Sequence, residues 1–122
     1  MGFIDSDTST FTTTAGGAAA VTTKRFTGLV NAIQWVRDST ATALSTAAGL
    51  TVTAERTGQA ILTISPFNST VDTFFFPRVN IQSTAGSTVA GFDKLPLKDE
   101  GLIYTISSGG NAKAGTFRTF VE

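Results

Sequence analysis

From residue 25 onward the chain alternates apolar and polar positions in short runs, and turn residues end each run. A period of two places successive side chains on opposite faces of a strand. In 26–37 (FTGLVNAIQWVR), Leu29, Ile33 and Trp35 fall on one face and Val30, Ala32 and Val36 on the other. Leu50, Val52 and Ala54 alternate with Thr51, Thr53 and Glu55; Thr57-Gly58 then turns the chain, and Ile61 to Ser65 returns as the second arm of a hairpin. Pro66 to Ser69 is a further turn. Val71–Phe76 and Val79–Gln82 read as strands on either side of Pro77, which marks the first as an edge strand. Asp38–Gly49 reads as a loop or weak helical turn, and Ser83–Glu100 as a long loop. A glycine-rich turn joins the closing strands, Leu102–Ser107 and Thr116–Val121. About six to eight short strands separated by turns predict an all-β antiparallel β-sandwich over residues 25–122. The apolar phases of the clearest strands nominate Ile33, Trp35, Val52, Leu62, Tyr104 and Phe117 as one core.

Residues 1–24 differ in kind. They are small, polar and repetitive, with Phe3, Ile4, Phe11 and Val21 as the only sizeable apolar groups and Gly16-Gly17 as a hinge. Such a segment reads as an extended N-terminal arm. It has little apolar surface to offset the roughly 1 to 2 kcal/mol per residue that ordering a backbone costs. A first strand over Thr8–Thr14 is the competing reading. The segment lacks the basic start and apolar stretch of a secretory signal.

Composition narrows the chemistry. The 122 residues include no Cys and no His, which removes disulfides, thiolate nucleophiles, imidazole bases and the usual zinc or haem ligands. Nine basic residues balance nine acidic ones, so no basic excess points to nucleic acid or a membrane surface. No apolar run reaches the roughly 18 residues of a spanning helix. Only 15% of residues are charged, against about 25% in a typical domain. Threonine and serine take their place. A neutral, charge-poor chain suits a subunit packed in an assembly.

The remaining motifs are weak. Gly110 to Gly115 has the gap of a phosphate loop, but Thr116 stands where that motif needs lysine and a strand follows rather than a helix. Met1-Gly2 opens a myristoylation-like pattern, and Asn68-Ser69-Thr70 matches a glycosylation acceptor that reads better as turn chemistry. Asp5 and Asp7 do not continue into a calcium loop. Asp99-Glu100 reads as a solvated pair. No enzymatic activity and no cofactor is expected. Three consecutive phenylalanines say more. Phe74, Phe75 and Phe76 cannot all face one core, so at least one ring needs cover from a loop, the arm or a partner. Phe74, Phe75 and Phe76, with Phe3, Ile4 and Phe11 from the arm, are the candidate interface residues.

FTGLVNAIQWVRD at 26–38, LTVTAERTGQAIL at 50–62, FPR at 76–78 and KDEGLIYTISSGGNAKAGTFRTFVE at 98–122 together resemble a group of small tailed-bacteriophage proteins. The likeness is one of pattern over most of 26–122 and carries no catalytic motif. It implies a β-sandwich virion component from the head or neck region, an auxiliary decoration or cement-type protein. Its partners would be further copies of itself, as a homo-oligomer in the particle, and major capsid or neck proteins. The alternative is a neck- or tail-associated adhesion or receptor-binding module.

Overall fold

The computed structural model describes residues 4–39, 41–67, 70–82 and 88–122. Its strands are β1 (Asp5–Thr12), β2 (Ala19–Thr22), β3 (Phe26–Arg37), β4 (Gly49–Ala54), β5 (Ala60–Ile64), β6 (Thr73–Phe75), β7 (Val79–Gln82), β8 (Thr88–Asp93), β9 (Pro96–Glu100), β10 (Leu102–Ser107) and β11 (Ala114–Val121). They form an all-β sandwich of two antiparallel sheets. The first sheet runs β1-β11-β3-β6, and β9 pairs with the opening half of the long β3. The second runs β2-β10-β4-β5, and β7-β8 is a separate ribbon.

Residues 5–22 of the expected arm are not an arm in this structure. β1 pairs with β11 at all eight positions, from Asp5↔Val121 to Thr12↔Ala114. β2 closes the edge of the second sheet, with Val21 opposite Tyr104. The competing reading, a first strand, is the one observed, beginning three residues earlier than Thr8. Pairing to β11 satisfies backbone groups that the composition of the segment leaves out of account. The glycines are a clasp rather than a hinge. Gly17 adopts φ +81°, and a Cβ there would come within 2.8 Å of the Gly109 and Gly110 nitrogens. Its carbonyl accepts from the Gly109 N–H at 2.8 Å, while Thr13 Oγ1 accepts from the Lys113 N–H at 2.8 Å.

β3 corrects the phase expected for its first half. Phe120 lies opposite Ala32 but Val121 lies opposite Val30, so Asn31 is an extra residue, a β-bulge. The bulge moves Val30 to the inner face with Ile33 and Trp35, all three fully buried, and leaves Leu29 39% exposed on the outside. A second bulge in the β4–β5 pairing, between Val52 and Thr53, buries Ile61 and leaves Leu62 partly buried at the core margin. The Ser83–Glu100 segment also departs from its expected loop. Pro96 opens β9, where a missing N–H is tolerated, and Leu95 and Leu97 enter the core. Residues 83–87 lie outside those described.

The core is aromatic at its centre. Trp35 has Phe11, Phe67 and Phe117 at centroid distances of 5.9, 5.1 and 5.0 Å. Tyr104 stacks on Phe117 at 4.4 Å, and its hydroxyl shares a 2.6 Å hydrogen bond with that of Thr119. Burial pushes the Tyr104 phenol well above its ordinary value, more strongly than the Thr119 hydrogen bond lowers it, and the Asp7 charge adds to the rise. The unfolded chain releases this proton near pH 10 and the folded one keeps it, so stability should fall above about pH 10 by up to ~1.4 kcal/mol per unit. Tyr104 is the only tyrosine, so near-ultraviolet absorbance reads it directly. The folded protein should show no tyrosinate at about pH 11, and the signal should appear together with loss of strand circular dichroism. Titration near pH 10 with the fold intact would contradict this placement.

Candidate interaction surface

The outer face of the first sheet is built from rows of residues that its registers place side by side. One row runs Thr8, Arg118, Gln34, Phe74 across β1, β11, β3 and β6; the next runs Ser6, Phe120, Ala32. Phe76, two residues beyond Phe74, returns to the same face, and its ring lies nearly parallel to that of Phe74 (17°) with centroids 6.2 Å apart. Phe120 approaches Phe74 from the other side at 6.3 Å. Ala32 sits between them with only a methyl group. The result is an open apolar depression of about 360 Å³, lined by Ile4, Asn31, Ala32, Phe74, Phe76 and Phe120. Ile4, Phe74 and Phe76 are 58%, 50% and 62% exposed.

Local chemistry holds this shape. The Arg78 guanidinium donates to the carbonyls of Asn31 at 3.0 Å and Pro77 at 2.7 Å, tying the bulge of β3 to the chain leaving β6. The Arg37 N–H donates to Asp72 at 2.9 Å and the Arg37 side chain to the Thr70 carbonyl at 2.9 Å, anchoring the chain that enters β6. Phe74 and Phe76 are therefore presented on a braced edge. On β1 and β11 the positions beside the depression include the hydroxyl-bearing Ser6, Thr8, Thr10 and Thr116, and Thr10 and Thr116 share a hydrogen bond at 3.1 Å. Arg118 is the one outward-facing charge at the paired positions of β1, β11, β3 and β6.

The six expected interface residues divide. Ile4, Phe74 and Phe76 come together at the depression. Phe11 is buried against Trp35 and Phe117, a core residue rather than an anchor on a neighbour. Phe75 lies opposite Ile33, turns inward and packs 6.2 Å from Phe67. Phe3 lies outside the described residues. Phe120 and Ala32 were absent from the sequence-derived set. Phe120 had a legible signal, since it breaks the polar phase of a strand whose inner phase is Phe117, Thr119 and Val121. Alternation places Ala32 on the outer face, opposite Ile33 and Trp35, but a methyl group there gives no sign of an interface, and its place beside Phe120 depends on the register of β3 with β11.

The other motifs are occupied structurally. The glycine-rich segment is not the turn of a hairpin, because β10 and β11 lie in opposite sheets and it crosses from one to the other. Its Gly109 N–H is taken by Gly17 and its Gly109 carbonyl by the Ser45 N–H at 3.0 Å, so it is a clasp rather than a phosphate cradle. Asp5 accepts from the Lys24 ammonium at 2.7 Å, which holds its carboxyl below the usual value, and Asp7 accepts from the Lys24 N–H at 2.9 Å. Asp99-Glu100 is not a solvated pair. Glu100 is buried, accepting from the N–H groups of Arg56 and Thr57 at 3.1 and 3.3 Å, where it pins the β4–β5 turn. Asn68 and Ser69 lie outside the described residues. Among the described residues no group of three acidic side chains is placed to hold a metal ion. No protein family, curated protein or solved structure matches the chain.

Proposed function

We propose that this protein is a structural subunit of a tailed-phage particle, an auxiliary protein of the decoration or cement type that docks through the outer face of its first sheet. The observation that carries the reading is the aromatic depression around Ala32. Phe74, Phe76 and Ile4 are exposed side by side on one face, and the largest contiguous apolar patch of a protein surface is often a functional one. Two features support an assembly role. The chain is charge-poor with zero net charge, and its remaining polar clusters are spent on bracing the fold. The pattern likeness to tailed-phage proteins supplies the particle, in its head or neck region.

The test is copy number in the particle. Virions banded on a caesium chloride gradient should contain the protein at a fixed stoichiometric ratio to the major capsid protein, measured by quantitative mass spectrometry. Finding it only in the soluble lysate fraction would overturn the reading.

A further inference from the structure

We draw no further inference here: the strongest candidate, the open apolar depression around Ala32 on the outer face of the first sheet, belongs to the surface already described, and nothing in the structure shows what covers it.

Discussion

Removing residues 2–22 should unfold the domain rather than leave a trimmed, soluble sandwich. The deletion takes away β1 and β2 together. It strips β11 of eight paired positions and β10 of four, leaving one edge of each sheet bare. It also removes Phe11 from the aromatic centre, and truncating a buried phenylalanine alone costs about 3 to 5 kcal/mol. A domain of this size has about 5 to 15 kcal/mol in all. The loss of Gly17 then frees the β10–β11 connection between the sheets from its clasp. The trimmed chain should show no cooperative thermal transition by circular dichroism and should be cut rapidly by protease. A trimmed protein that melts cooperatively near the parent temperature would mean that β1 and β2 are an accessory layer.

Trp35→Ala should lower stability by about 3 to 5 kcal/mol, the largest effect expected of any single substitution here. The indole is fully buried where rings from three other segments converge: Phe11 from β1, Phe117 from β11, and Phe67 from the turn after β5. None of these can refill the space by rotating alone, because each is packed on another ring: Phe67 and Phe11 on Phe117, and Phe117 on Tyr104. The sheet has also been shaped around the indole. Gly115 passes so close that a Cβ there would collide with Trp35 Cη2, so that position has room for no side chain while the tryptophan is present. Urea denaturation monitored by circular dichroism would measure the loss. A change below about 1 kcal/mol would mean that the site collapses easily and that Trp35 is not the hub of the core.

Phe74 and Phe76 illustrate how far alternation reaches. Three consecutive phenylalanines required at least one to leave the core whatever the topology, because side chains of a strand alternate. The structure puts Phe75 inward and its neighbours out, and Pro77 follows an edge strand. Both followed from local stereochemistry. Nothing in the triplet shows that Phe120, distant in sequence, completes the same surface. That depends on β3 lying between β11 and β6, a long-range pairing.

The same division holds for the whole chain. Composition and period two were enough to establish the fold class, the turns at Thr57-Gly58 and Pro66, the two closing strands and most of the core, because these reflect local propensity and a one-sided need for burial. That the closing strands cross between the two sheets instead of pairing as a hairpin was not among them. Three other features were settled by tertiary structure. The N-terminal segment is a core strand because β11 offers it an unpaired edge, a stabilisation that its own composition does not contain. Leu29 and Val30 exchange faces because one extra residue at Asn31 shifts the phase, and a bulge leaves no mark on a two-residue period. Glu100 is buried because the N–H groups of the β4–β5 turn come to meet it from more than 40 positions away in the chain. Alternation describes what one strand needs; register between distant strands decides which residues meet.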